Sequence, residues 1–147
     1  SQENSIILEC NIDDMNPERY EFLLEKLFEN GASDAWLSPI IMKKSRPANM
    51  VSVLCTADKA GTMKSILFEH STTLGIREKQ VLKNLLRRQE KSIETPYGKV
   101  RIKECFYNGQ ILRFKPEYDD CKALALKHNV SISVIESAVL KSMNNGY

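Results

Sequence analysis

The order of apolar patterns along this chain predicts an α+β protein, a ferredoxin-like βαββαβ subdomain followed by a small β-meander with two helices. Three observations carry that expectation. Residues Ile6 to Asp13 alternate with a period of two and are followed by a stripe of helical period from Tyr20 to Phe28. Strand, strand, helix, strand then follow across residues 35–81, completing the split β-α-β order. Beyond residue 90 the chain changes character, with short strands around Pro96-Tyr97-Gly98 and Asn108-Gly109 and then two helical stretches. The expected division is residues 1–90 and 91–147.

In the first strand Ile6, Leu8, Cys10 and Ile12 share one face and Glu9, Asn11 and Asp13 the other. Asn16-Pro17 is a helix start, with Asn as cap and Pro at the first helical position. Tyr20, Leu23, Leu24, Leu27 and Phe28 form its apolar stripe, and Asn30-Gly31 stops it. The second strand runs from Ala35 to Met42, and Pro39 within it demands an edge or a bulge. Ser45 to Asn49 reads as a loop and Val51 to Thr56 as the third strand. Asp58 is placed to cap a second helix whose stripe is Met63, Ile66, Leu67 and His70; Ile76 to Val81 is the fourth strand. Lys83 to Lys91 reads equally as a long strand or a linker. In the second part Ser92 to Thr95, Val100 to Tyr107 and Ile111 to Lys115 form the meander, with Asn108-Gly109 as a tight turn. Pro116 opens a helix to about His128, with Tyr118, Cys121, Leu124 and Ala125 on one face. Ser131 or Ser133 caps a last helix through about Met143, which Asn144-Asn145-Gly146 ends.

The 147 residues are 42% hydrophobic and 27% charged with net charge +2, which fits a packed core and is too balanced for a general nucleic-acid binder. No apolar run approaches the roughly 20 residues that span a bilayer. No signal-peptide pattern stands at the start, and the expectation is a cytoplasmic chain. Cys10, Cys55, Cys105 and Cys121 are scattered without a Cys-x-x-Cys pair, as in a reduced protein without disulfides or structural zinc. The first residue is Ser, as expected of a piece of something longer. There is no P-loop, no G-x-G-x-x-G and no G-x-S-x-G, and the two histidines, His70 and His128, are too few for a His-rich metal site.

Four clusters remain as candidates. Asp13-Asp14 sets paired carboxylates between a strand and a helix, suited to a hard divalent cation or to the positive end of the helix. Lys43, Lys44 and Arg46 follow an apolar strand, where they are either a phosphate grip or a solvated charge run. Ser71, Thr72 and Thr73 offer hydroxyls and backbone N–H groups to an anion, or form a helix C-cap with Ser/Thr turns. Lys115 and Glu117, in Lys115-Pro116-Glu117-Tyr118-Asp119-Asp120, read as a cation and a metal-binding carboxylate, or as an ordinary helix N-terminus. Cations, hydroxyls and carboxylates together suit a nucleoside triphosphate with its metal.

The segments Leu8-Glu9-Cys10-Asn11-Ile12-Asp13-Asp14-Met15, Met42-Lys43-Lys44-Ser45-Arg46-Pro47, Ser71-Thr72-Thr73-Leu74-Gly75-Ile76-Arg77, Glu94-Thr95-Pro96-Tyr97-Gly98 and Lys115-Pro116-Glu117-Tyr118-Asp119-Asp120-Cys121, in this order, resemble the C-terminal region of the LarC family. The resemblance implies a CTP-dependent nickel chelatase of the lyase class. Such a protein places nickel into a pyridinium bisthiocarboxylate mononucleotide, giving the nickel-pincer nucleotide cofactor of lactate racemase. It further implies binding of CTP with Mn or Mg, assembly into a homo-oligomer, and a separate N-terminal domain not contained in this sequence. On that basis Lys43, Lys44, Arg46, Ser71, Thr72, Thr73 and Lys115 are expected at the triphosphate, and Asp13, with Asp14 or Glu117, at the metal. A non-catalytic ligand-sensing or assembly module is the alternative, since ferredoxin-like units host unrelated functions. RNA binding is disfavoured by Glu9, Asn11 and Asp13 on the first strand, where stacking aromatics would be needed.

Overall fold

A computed structural model describes residues 1–144. It divides into two compact units, Gln2–Asn84 and Leu85 onward together with Ser1. The expected division after residue 90 falls inside a strand of the second unit.

The first unit contains β1 (Gln2–Ile12), α1 (Arg19–Glu29), β2 (Asp34–Met42), β3 (Arg46–Cys55), α2 (Ala60–His70) and β4 (Arg77–Asn84). The sheet order is β2-β3-β1-β4 with every neighbouring pair antiparallel, which is the ferredoxin-like arrangement. Alternation decides which face is covered. Ile6, Leu8, Cys10 and Ile12 of β1 and Val51, Val53 and Cys55 of β3 pack with Tyr20, Leu23 and Leu27 of α1 and Met63, Ile66 and Leu67 of α2. Each such large side chain contributes about 1.5–3 kcal/mol by leaving water. Pro39 sits in β2, an edge strand, as its missing N–H requires.

Several expectations are corrected. Residues 46–49 are paired in β3 and are not a loop; β2 and β3 form one long hairpin closed by a short 3₁₀ turn over Lys43–Ser45. Lys44 and Ser45 make the reversal by adopting φ of 61° and 57°. Helix α1 starts at Arg19, because Asn16 spends its side-chain oxygen on the Glu18 N–H (3.2 Å) in a turn ahead of the helix. Phe28 leaves the buried stripe and is exposed. Asp58 does not cap α2 but lies in a 3₁₀ turn, Ala57–Lys59, where the Thr56 hydroxyl holds its carboxyl below the usual range. β4 extends to Asn84, so the charged stretch 83–91 is neither one strand nor a free linker. It is the end of β4, a break at Leu85-Leu86 and the start of β5.

The second unit contains β5 (Arg87–Thr95), β6 (Gly98–Tyr107), β7 (Gln110–Pro116), α3 (Tyr118–His128) and α4 (Ile132–Asn144). The meander is antiparallel in the order β5-β6-β7. Asn108 and Gly109 take φ of 50° and 79°, the paired positive values of a two-residue hairpin turn. Val100 and Ile102 pack against Cys121, Ala125, Ile135, Val139 and Met143. Pro116 ends β7 and does not open α3, and Tyr118 is exposed rather than on the packed face. Ser131 caps α4 through the Val134 N–H (3.4 Å). Of the expected stop signal, Asn144 is the last described helical residue, and Asn145 and Gly146 lie outside the described residues. All four cysteines are free thiols.

Candidate functional site

Antiparallel pairing in the first unit brings three of the four candidate clusters to one end of its sheet. β1 ends there at Ile12, opposite Asn49 near the start of β3, and β4 begins there with Arg77 opposite Glu9. The β1–α1 segment with Asp13 and Asp14, the β2–β3 turn with Lys43 to Arg46, and the α2–β4 segment with Ser71 to Gly75 are therefore neighbours.

Side chains join these segments. An Arg46 guanidinium nitrogen lies 3.8 Å from an Asp13 carboxylate oxygen. The Thr72 hydroxyl donates a short hydrogen bond to Asp14 Oδ1. Lys43 and Lys44 are exposed on the turn beside Arg46. Three consecutive hydroxyls do not serve alike. Ser71 Oγ donates to the Leu67 carbonyl at 2.5 Å and accepts the Thr73 N–H, ending α2. Thr73 Oγ1 donates to the Gly75 carbonyl at 2.8 Å. Those two shape the segment, and Thr72 is the one turned to a carboxylate. Burial pushes the Cys10 thiol up, with a hydrogen bond to the Thr73 side chain and the charge of Arg77 opposing.

Glu9 and Asn11 lie on the face of β1 opposite its core residues. They are held by β4: Lys79 Nζ lies 3.1 Å from Glu9, and Arg77 donates to Asn11 Oδ1 at 2.9 Å. Sequence reasoning did not assign Arg77 and Lys79 a place. Their spacing of two was the available signal, since it puts both on the face of Glu9 and Asn11 once β4 pairs with β1.

Lys115 and Glu117 belong to the second unit. Lys115 lies opposite Lys103 across β6–β7. Glu117 precedes α3 and is bonded by Lys103 at 2.7 Å, which holds its carboxyl below the usual range. Beside it Asp120 accepts from Arg101 Nη2 and Nε along one guanidinium edge (2.8 and 3.0 Å) and from the Arg101 backbone N–H (2.9 Å), so its carboxyl also titrates low.

Among the described residues no group of three or more His, Cys, Asp or Glu side chains can hold a metal by itself. Asp13, Asp14 and Thr72 carry oxygen ligands of the chemical type that a magnesium-like ion takes. Such ions take one or two carboxylates and fill their shell with water and phosphate oxygens. A cavity of about 360 Å³ adjoins this end of the sheet between the helix termini, lined by Glu18, Arg19, Phe22, Glu69, His70 and Ser71.

A family model described as nickel insertion protein matches residues 1–136. The chain is 42% identical over 139 residues to a pyridinium-3,5-bisthiocarboxylic acid mononucleotide nickel insertion protein of Clostridium kluyveri, covering 95% of this chain and 35% of that protein. The protein of the same description from Thermotoga petrophila is 40% identical over 142 residues, covering 97% and 36%. The chain thus spans about a third of the length of these relatives. Among solved structures, the apo form of LarC2, the C-terminal domain of a cyclometallase involved in synthesis of the NPN cofactor of lactate racemase, superposes with a TM-score of 0.86 at 28% identity, covering 98% of this chain and 99% of that one. A protein from Methanopyrus kandleri shares the fold at 16% identity, with a TM-score of 0.68 over 97% of this chain and 90% of its own.

Proposed function

The chain belongs to the nickel insertion protein family, and on that premise we propose that it is the CTP- and metal-binding part of a longer nickel insertase. The observation that supports this is the meeting of Asp13 and Asp14 with Arg46 and Thr72 at one end of the first sheet. Carboxylates that grip a guanidinium and a hydroxyl in the free protein are in place to exchange partners. The carboxylates take a Mn or Mg ion that accompanies the nucleotide. Arg46 and the Thr72 hydroxyl then turn to phosphate oxygens, as charge-assisted donors. Lys43 and Lys44 add positive charge on the adjoining turn, and Ser71 and Thr73 fix the backbone that carries Thr72.

The longer protein, through its further domain, places nickel as cargo into a pyridinium bisthiocarboxylate mononucleotide in a CTP-dependent, lyase-class reaction. It works as a homo-oligomer in the cytoplasm. Nucleotide turnover serves to bias one conformation over another, since nickel insertion itself needs no phosphoryl transfer. Titrating this chain with CTP in the presence and absence of Mn by calorimetry tests the proposal. The expected result is binding that needs the metal. Equal binding without Mn removes the metal role, and no binding under either condition favours a sensing or assembly module.

A further inference from the structure

We infer that a cavity of about 600 Å³ in the second unit, between the β5–β6 turn and α4, is the site of the pyridinium mononucleotide that receives nickel. The inference rests on the nickel-insertase reading but uses none of the residues assigned to CTP. The volume falls in the range of about 300–1,000 Å³ that small-molecule sites take.

One wall is the turn within Glu94-Thr95-Pro96-Tyr97-Gly98, a segment to which the CTP reading gives no task. Its backbone is bonded from within. The Thr95 hydroxyl donates to the Gly98 carbonyl (2.7 Å) and accepts the Tyr97 and Gly98 N–H groups (both 3.2 Å). His128 grips Tyr97 a second time. The two rings stand edge-on at 5.4 Å between centroids, and His128 Nε2 lies 2.8 Å from the Tyr97 carbonyl oxygen. A half-buried aromatic ring is thereby fixed at the cavity before a ligand arrives, which leaves little ordering to be done on binding.

The other wall is α4. Ile135, Val139 and Met143 face the core; Ser133, Ser137 and Lys141, four apart, lie on the opposite side and line the cavity together with Ser142. The lining carries three serine hydroxyls and one ammonium and, among the described residues, no carboxylate. Lys141 makes no ion pair among the described residues. Such a lining favours an anion. A pyridinium mononucleotide uses both walls at once. Its phosphate and thiocarboxylate groups accept from Lys141 and the serine hydroxyls. Its positively charged ring is drawn to the face of a tyrosine. A phosphate without the ring would use α4 alone.

Nicotinic acid mononucleotide is a suitable probe, since it has the same pyridinium, ribose and phosphate with a carboxylate in place of the thiocarboxylates. Calorimetry on the whole chain compares it with ribose 5-phosphate and with Mn–CTP in the wild type, Lys141→Gln and Tyr97→Leu. The wild type should bind the mononucleotide more tightly than ribose 5-phosphate. Lys141→Gln should weaken both by about tenfold or more, the size of a lost charge-assisted contact. Tyr97→Leu keeps the apolar bulk and should weaken the mononucleotide alone, by about three- to tenfold. Mn–CTP affinity should stay unchanged in both variants, which also shows that they are folded. A wild-type chain that binds Mn–CTP but not the mononucleotide overturns the cavity assignment and leaves the CTP reading standing. Mononucleotide affinity indifferent to both substitutions overturns it as well. Mononucleotide binding that responds to both, in a chain that does not bind Mn–CTP, supports the cavity and removes the CTP reading.

Discussion

Replacing Arg46 by alanine separates the two tasks of its guanidinium. In the free protein Arg46 faces Asp13 at 3.8 Å, with side chains 59% and 28% exposed. A pair so long and so open to water contributes below about 1 kcal/mol to folding. Arg46 also sits at the first residue of β3, opposite Met42, where truncating the side chain leaves the ladder intact. The unfolding midpoint of Arg46→Ala should therefore stay close to that of the wild type. Binding should respond differently. A charge-assisted hydrogen bond to phosphate is worth about 1.5–3 kcal/mol, so Mn–CTP affinity should fall roughly 10- to 150-fold. Calorimetric titration gives the affinity, and thermal unfolding followed by circular dichroism gives the stability. Unchanged affinity in a folded variant would refute a phosphate role for this residue. A large loss of stability would refute the reading of its Asp13 contact as marginal.

Asp13→Asn should weaken CTP binding far more with Mn present than without it; equal effects in the two conditions would show that Asp13 does not hold the metal. Gly98→Ala should destabilise the second unit by about 1–3 kcal/mol in denaturant titration, because Gly98 has φ of 137° and an added Cβ would stand 2.9 Å from Leu124 Cδ2. An unchanged midpoint would count against that strain. Asp120 is held low chiefly by its hydrogen bonds from the Arg101 side chain, and Glu117 chiefly by Lys103. For carboxyls depressed on folding, the stabilisation is complete above their unfolded values, near 4, and is lost as pH falls through the lower folded ones. Acid unfolding of the second unit should accordingly steepen below about pH 4, and Asp120→Asn should flatten that slope. Identical pH profiles for the two proteins would contradict it.

The first strand was legible because its face is decided by simple alternation, and the Asn108-Gly109 turn because its backbone needs residues that tolerate positive φ. The β2–β3 hairpin was not legible for the converse reason. Its reversal uses Lys44 and Ser45 in the left-handed region, where glycine is the usual signal, so a paired strand start looked like a loop. Pro116 and Pro17 misled in a common way, since proline suits both a helix start and the residues just ahead of one. At the candidate site, Asp13, Arg46 and Thr72 could be named from chemistry. Their partners could not, because Arg46 reaches Asp13 and Thr72 reaches Asp14 only through β3 and β4 pairing on either side of β1. The cavity lined by Phe22 and His70 was hidden for a related reason. His70 completes the apolar stripe of the second helix in the sequence while Phe22 lies outside the stripe of the first, so the pattern did not set the two beside one cavity.

Paramagnetic broadening of backbone amide signals by Mn–CTP tests the central claim most directly, because the ion itself marks its ligands. Asp13, Asp14, Ser71, Thr72 and the Lys43–Arg46 turn should broaden first as the complex is added, and Mg–CTP should leave those signals sharp. Broadening that spares these segments while CTP is bound would place the metal elsewhere and contradict the account.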